Sequence, residues 1–160
     1  MSDRGSSSRA LRELLAAHPF AAGMASAQVA QLAGCCIGTV HFEPDDVILR
    51  AGDQADRCFL ILAGEVAIEV HWLGGGSIVQ TIEDGEVLGW SWMFPPYRWV
   101  FDARALVTTT AIAVDGTSLR GLAERDHDLG FHVMSRVARL VVERLHATQL
   151  QLVDLYGNRS

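Results

Sequence analysis

The stretch EDGEVLGWSWMFPPYRWVFDARALVTTTAIAVD, residues 83–115, places an aromatic-rich segment between two runs of β-strand signals. It holds three of the four tryptophans of the chain and its Pro-Pro pair. Because proline cannot donate a backbone hydrogen bond to a sheet, Pro95 and Pro96 interrupt the β-structure, which resumes at about Val100. We expect a turn or short helix at residues 91–94. An excursion with aromatic and positively charged side chains is typical of a ligand site.

Short strands separated by glycine-rich turns precede this segment. From Thr39 to Asp115 apolar residues recur mainly at every second position, as in half-buried strands. Residues 58–62 are apolar on both faces, which indicates a fully buried strand. Many short strands with turns between them are typical of a sandwich or jelly roll rather than of alternating β-α units. We predict a mainly β protein, a jelly-roll (double-stranded β-helix) barrel with flanking helices.

Helical patterns lie at both ends of the chain. The first is expected from about Ser8 to His18 and a second, short one from Ser26 to Gly34. The longest pattern, at about residues 128–156, carries two apolar stripes, and Val133, Val137 and Leu140 form one of them. The other steps alternately by four and three residues, as in a coiled coil, and consists of Met134, Ala138, Val141, Leu145, Thr148, Leu152 and Leu155. We interpret the second stripe as the seam of a parallel homodimer; a helix folded wholly onto its own domain is the alternative.

Length and composition fit one globular domain, since the chain has 160 residues, 49% of them hydrophobic. We divide it into a disordered, Ser-rich start at residues 1–8, a β-barrel domain with a helical cap at 9–125 and a dimerisation helix at 126–156. The net charge of −6 and the scattered Lys and Arg argue against a nucleic-acid surface. Without a recognisable signal peptide or membrane span, we expect a cytoplasmic protein without membrane contact.

Patterns that indicate catalysis or metal binding are not recognisable. The six histidines have no metal-ligand spacing, so a metal enzyme on a similar β-frame has little support. Cys35, Cys36 and Cys58 are interpreted as buried thiols, with a redox or metal role for the adjacent pair as the alternative. We expect binding rather than catalysis, and no metal.

Three motifs resemble the cyclic-nucleotide-binding domain of the Crp/Fnr-type sensor family. They are G-D-x-A-D-x-x-F-x-I-x-x-G at 52–64, D-G-E-V-L-G at 84–89 and A-R-A-L at 103–106. The resemblance extends over roughly residues 19–155 and implies the jelly roll, with N-terminal helices as a cap and the C-terminal helix as dimer interface. In that family this helix leads into a helix-turn-helix domain. The sequence stops at Ser160, so we expect no such domain and no direct DNA binding.

The aromatic-rich excursion corresponds, in the resembling family, to a phosphate-binding cassette. Its backbone N–H groups face a cyclic phosphate, a Glu after a glycine takes the ribose hydroxyl, and an Arg pairs with the phosphate. Gly89 matches the glycine, but Trp90 occupies the Glu position, and Trp99 lies at or beside the Arg position with Arg98 as the nearest replacement. An indole has a single donor and no acceptor for ribose hydroxyls. We therefore predict a ligand other than ordinary cAMP or cGMP.

The predicted ligand-binding residues are Gly89, Trp90, Ser91, Trp92, Tyr97, Arg98, Trp99 and Arg104. Tryptophan faces can stack on a planar ligand, or the same rings can fill the pocket themselves. Arg98 can hold a phosphate or carboxylate, whereas Arg104 either does the same or pairs with Asp102 or a neighbouring acid. No cofactor is predicted beyond a nucleotide-like or small anionic ligand.

The prediction is therefore a cyclic-nucleotide-binding-like regulatory domain for signal transduction. Ligand binding would reposition the C-terminal helix and act on a separate partner protein. The alternative is a degenerate, ligand-free domain that serves as a dimerisation or scaffold module. The two differ in whether Trp90 and Arg98 line a void or plug it.

Overall fold

Two four-stranded antiparallel sheets form the body of the protein in the computed structural model, which describes residues 2–157. The strands are β1 (Cys36–Phe42), β2 (Val47–Leu49), β3 (Arg57–Ala63), β4 (Glu65–Trp72), β5 (Gly75–Glu83), β6 (Val87–Leu88), β7 (Asp102–Ala105) and β8 (Thr109–Asp115). One sheet has the order β1-β8-β3-β6 and the other β2-β7-β4-β5. This arrangement confirms the predicted jelly roll with flanking helices.

Four α-helices surround the sheets: α1 (Ser2–Ala17), α2 (Ser26–Ala33), α3 (Gly116–Arg125) and α4 (His127–Gly157). Short 3-10 turns cover Pro19–Ala21 and Ser91–Met93. The helices pack against the outer face of the β1-β8-β3-β6 sheet, where Leu60 and Ile112 meet Leu15 and Leu129 in one buried cluster. Among residues 2–157, the helices lack the length and hydropathy that a membrane-spanning segment requires.

A second apolar cluster lies between the two sheets. Phe59 and Ile61 of β3 point into it, while Cys58 and Leu60 of the same strand join the helical cluster. Residues 58–61 are buried on both faces, as their uninterrupted apolar run predicts. β4 differs from the half-buried strands that the alternating pattern predicts, because Glu69 is buried at 8% exposure and forms an ion pair with Arg104.

The start of the chain departs from the prediction. We predicted disorder at residues 1–8, but α1 begins at Ser2, so the prediction is wrong for residues 2–8; Met1 lies outside the described residues. Serine and glycine are poor helix formers, yet extending an existing helix costs far less than starting one. The C-terminal part of α1 is fixed by Leu15, which is fully buried, and this turn supplies the nucleus.

The C-terminal helix α4 separates its two apolar stripes as the pattern suggests. It has 31 residues, which corresponds to a length of about 46 Å. In the first stripe Val133 and Val137 are buried and Leu140 is half-buried. The second stripe, from Met134 to Leu155, is exposed along its whole length. Its pairing with a second chain stays a prediction.

Candidate ligand-binding cleft

The excursion after β6, residues 89–99, is called the cassette below. Gly89 turns the chain with φ +92°, the 3-10 turn at Ser91–Met93 follows, and the Pro95-Pro96 pair leads to Tyr97 at φ +55°. The segment then returns along residues 52–55: the Trp99 N–H donates to the Asp53 carbonyl (3.0 Å), and the Ala55 N–H donates to the Tyr97 carbonyl (2.7 Å). The predicted break in the β-structure and its short helix are therefore present.

A cleft of about 450 Å³ opens between the cassette, the mouth of the sheet sandwich and α4. Its walls are largely apolar and include Leu49 and Leu88 from the strands. Four predicted site residues line it: Gly89, Trp90, Ser91 and Trp99. The volume lies within the range of small-molecule sites, about 300–1,000 Å³. The cleft is thus open, and its tryptophans leave room for a ligand.

Trp99 forms the buried part of the cleft wall that the cassette contributes. The residue is 8% exposed and packs with the cluster between the sheets. A Cβ built on Gly89 would come within 2.7 Å of two ring carbons of Trp99, so the indole lies directly on the glycine backbone. No larger side chain than that of glycine fits beneath this ring.

The other four predicted site residues lie outside this cleft. Trp92 is 1% exposed, belongs to the helical cluster and donates its indole N–H to the Gly89 carbonyl (3.1 Å). Tyr97 lies under the Arg120 guanidinium, 4.2 Å from its ring centre. Arg98 is exposed and donates to the Gly52 carbonyl at 2.9 Å. Arg98 therefore neither lines the cleft nor plugs it.

Arg104 pairs with acidic side chains of its own domain, which is one of its two interpretations, the other being a ligand contact. It forms ion pairs with Glu69 and Asp45, both at 2.6 Å, rather than with Asp102. These two carboxylates raise the pKa of Arg104, with the hydrogen bond that Arg104 donates to Glu69 as the largest cause. Arg104 therefore holds β7 to β4 and to the turn before β2, away from the cleft.

Among the cleft residues that sequence reasoning missed, Arg144 of α4 is the charged one. Its guanidinium lies 4.3 Å from the ring centre of Trp90 and donates to the Val87 carbonyl at 2.7 Å. Burial lowers the pKa of Arg144 to about 10, while the nearby Glu86 and Glu143 oppose this shift. The residue therefore remains a cation at neutral pH. A signal was available, because Arg144 shares a helix face with Val141 and Thr148.

Three residues of the predicted dimer seam, Val141, Leu145 and Thr148, also line the cleft. They keep substantial exposure, 37% for Val141 and 54% for Leu145. The cleft wall and the exposed stripe therefore share these three residues, and the stripe continues beyond the cleft to Leu152 and Leu155.

The three cysteines lie in or beside the helical cluster. Cys35, Cys36 and Cys58 are free thiols, and burial raises the pKa of Cys36 to about 12. Burial also raises the pKa of Cys58. Thiols that stay protonated are poor nucleophiles and poor metal ligands. Within residues 2–157, no group of three or more His, Cys, Asp or Glu side chains is arranged to hold a metal ion.

The jelly roll, the cassette and the adjoining helix are the elements of a regulatory domain of the cyclic-nucleotide-binding-like class. The sequence model of the cyclic nucleotide-binding domain matches residues 39–126, more than half of the chain. The chain belongs to this family, and its structural neighbours include regulators of the Crp/Fnr type. This family and fold generally contain regulatory binding domains rather than enzymes.

Three solved structures illustrate the similarity. A Geobacter metallireducens GS-15 protein named for cyclic nucleotide binding is 28% identical, with a TM-score of 0.73 over 88% of this chain and 98% of that one. A cyclic nucleotide-binding domain from Methylobacillus flagellatus KT is 19% identical, with a TM-score of 0.76 over 92% and 83%. The regulatory subunit of a cAMP-independent protein kinase A from Trypanosoma brucei is 21% identical, with a TM-score of 0.73 over 91% and 50%. A search among curated proteins gives no significant match.

Proposed function

We propose that the protein is a regulatory sensor domain that binds a small ligand other than cAMP or cGMP and signals through α4. The observation that carries the proposal is the position of the cleft. Its walls come from the cassette and from α4, so a ligand inside it contacts both elements. A ligand shifts a conformational equilibrium only by binding the two states with different affinity. Contacts with α4 supply that difference.

The composition of the cassette argues against a cyclic nucleotide. Trp90 replaces the carboxylate that the family resemblance assigns to the ribose hydroxyl. Trp99 lies at or beside the position of the arginine that pairs with the phosphate in that resemblance, and its ring lies on Gly89. Arg98, the candidate substitute, is directed to the Gly52 carbonyl instead. Neither Trp99 nor Arg98 therefore offers the cation that pairs with the phosphate in the resembling family. The kinase subunit named as cAMP-independent agrees with a use of this fold without cAMP.

Two arginines tie the cassette to the helices through which a signal would pass. Arg120 of α3 stacks on Tyr97 and donates to the Trp92 carbonyl. Arg144 of α4 stacks on Trp90. Each contact joins a guanidinium to an aromatic face, an interaction of about 0.5–2 kcal/mol. A ligand that displaces Trp90 by an ångström changes the contacts of α4 directly.

The exposed stripe of α4 is the proposed output surface. We propose that it pairs with the same stripe of a second copy, and that the ligand-dependent position of α4 is recognised by a separate protein in the cytoplasm. The chain carries a net charge of −6, so we expect the domain itself to make no direct contact with DNA.

Thermal unfolding with a ligand panel tests the proposal. The panel contains cAMP, cGMP, cyclic dinucleotides, nucleosides and small aromatic acids and amides. A ligand at about one hundred times its Kd stabilises the native state by about 2.7 kcal/mol and raises the melting temperature. We expect a shift with at least one ligand other than cAMP and cGMP, and quenching or enhancement of the fluorescence of Trp90 and Trp99.

A matched pair of variants places the binding in the cleft. Ser91→Phe narrows the cleft, whereas Ser135→Phe adds the same ring at an exposed position of α4 outside it. Binding should be lost in the first variant and kept in the second. A panel without any effect on a folded protein would refute the sensor proposal and favour the alternative of a ligand-free dimerisation or scaffold module.

A further inference from the structure

The arrangement around Arg144 identifies the chemical class of the ligand, on the premise that the proposed cleft is a ligand site. A guanidinium has five N–H donors in a planar fork. Among the described residues, Arg144 has one hydrogen-bond acceptor, the Val87 carbonyl at 2.7 Å. The central carbon of the guanidinium also lies 4.3 Å from the ring centre of Trp90, a contact that uses no further acceptor atom. Donors therefore remain for a group inside the cleft.

The charge of Arg144 has no direct counter-ion in the part of the chain that the structure describes. No carboxylate of residues 5–157 lies within 4.0 Å of its guanidinium nitrogens. Glu86 and Glu143 are close enough to affect its titration, but the Glu86 carboxylate accepts the Glu83 N–H at 3.0 Å. A half-buried cation without a paired anion is costly, and an anion that enters the cleft removes that cost.

The rest of the cleft selects an apolar, flat molecule. Leu49, Ile68, Leu88 and Trp99 present hydrocarbon and indole surface, and the polar side chains Gln80 and Thr148 are neutral. Arg144 is the single charged side chain among the lining residues. A second negative charge on the ligand would thus have no cationic partner among the lining residues, which disfavours phosphate monoesters, whose charge at neutral pH is about −1.5 to −2.

We propose that the cleft binds a planar aromatic monocarboxylate, whose carboxylate pairs with Arg144 while its ring packs on Trp99 and the neighbouring leucines. The two oxygens of a carboxylate match the fork of a guanidinium and carry one charge in total. Since Arg144 belongs to α4, the same ion pair joins the ligand to the helix that would report its binding.

Isothermal titration with an acid and its amide tests the proposal on the unaltered protein. The probes are 2-naphthoate and 2-naphthamide, with 4-biphenylcarboxylate and its amide as a longer pair. Each amide has nearly the shape of its acid but no charge. We expect the better-fitting acid to bind about tenfold or more tightly than its amide, because hydrogen bonds to a charged group are the stronger ones. Equal affinities of acid and amide would overturn the inference and leave the proposed cleft intact.

Variants of α4 then assign the preference to one side chain. Arg144→Gln should reduce the ratio of acid to amide affinity to about one, and Arg144→Lys should keep part of it. Arg139→Gln removes an exposed arginine of α4 outside the cleft and should leave the ratio unchanged. A preference that survives in Arg144→Gln would overturn the assignment. If only nucleosides or other neutral ligands of the thermal panel bind, the ligand class is wrong; if nothing binds, the proposed function fails with it.

Discussion

Replacement of Gly89 by alanine tests the packing that distinguishes this cassette from a phosphate site. Gly89 has φ +92°, a conformation that costs a residue with a Cβ about 1–2 kcal/mol. The new Cβ would also lie 2.7 Å from two ring carbons of Trp99, which is held at 8% exposure in the inter-sheet cluster. Forcing an extra methyl into a filled site typically costs about 1–3 kcal/mol. We expect Gly89→Ala to lower the free energy of unfolding by about 2–5 kcal/mol in total.

Gly74→Ala is the matched control for this substitution. Gly74 has φ +90°, nearly the same value as Gly89, but an added Cβ there would meet no atom within 4 Å. Its cost should be the conformational part alone, about 1–2 kcal/mol. The difference between the two variants then measures the contact with Trp99. Trp99→Leu removes the indole that the new Cβ would meet. The double variant Gly89→Ala/Trp99→Leu should therefore be more stable than the sum of the two single changes predicts.

Urea unfolding followed by far-UV circular dichroism measures these differences without using the fluorescence of Trp99. The slope of the unfolding free energy against urea should be the same in both glycine variants, so that the midpoints report stability alone. Equal midpoints for Gly89→Ala and Gly74→Ala would refute the reasoning. The indole would then not cover Gly89, and the position of Trp99 in the cassette would be wrong.

Three further predictions concern other parts of the chain. Burial lowers the pKa of His18 below 6.5, so below that pH the unfolded chain binds a proton that the native chain does not. The free energy of unfolding, measured in urea, should therefore be constant above pH 6.5 and should fall below it. The fall should be smaller in His18→Gln. Leu152→Glu, in the exposed stripe, should convert a dimer to monomers, as measured by light scattering. Leu150→Glu, which lies outside the stripe and is 67% exposed, should not. A dimer that survives Leu152→Glu would contradict the proposal that this stripe is the dimer interface. Arg104→Gln should lower stability in urea, because it removes the arginine partner of the buried Glu69 and leaves His71 at 3.4 Å as its remaining partner. Ligand affinity should be unchanged, and a loss of affinity would return Arg104 to the site.

Burial along the strands could be predicted from the sequence because it is a local pattern. Residues 58–61 carry apolar side chains on both faces, and the structure covers one face with the second sheet and the other with helices. The cassette could be predicted for a similar reason, since Pro95 and Pro96 exclude a continuous strand whatever surrounds them. Glu69 defeats the same pattern, because its burial depends on Arg104, which lies 35 residues away in the sequence.

The separate fates of the tryptophans could not be predicted locally. All three cassette tryptophans lie in one segment with similar neighbours. Yet Trp90 lines the cleft, Trp92 packs in the helical cluster and Trp99 covers Gly89. In a tight loop the direction of each side chain is set by distant contacts. For Trp92 such a contact is Gly116, where an added Cβ would approach the Trp92 Cβ to 2.7 Å. Only a glycine at the start of α3 leaves room for that indole.

The shared use of one face of α4 makes ligand binding and chain pairing interdependent. Leu145 belongs both to the exposed stripe and to the cleft wall, so a second helix on the stripe alters the surface that a ligand meets. Linkage then requires a reciprocal effect: the factor by which dimerisation changes ligand affinity equals the factor by which the ligand changes dimer affinity. Leu152 lies outside the cleft, so Leu152→Glu alters ligand binding only through the seam. We expect the monomeric variant to bind the ligand with an affinity different from that of the wild-type dimer, by calorimetry. Equal affinities would show that α4 does not couple the two events, and the signalling role proposed for this helix would then be wrong.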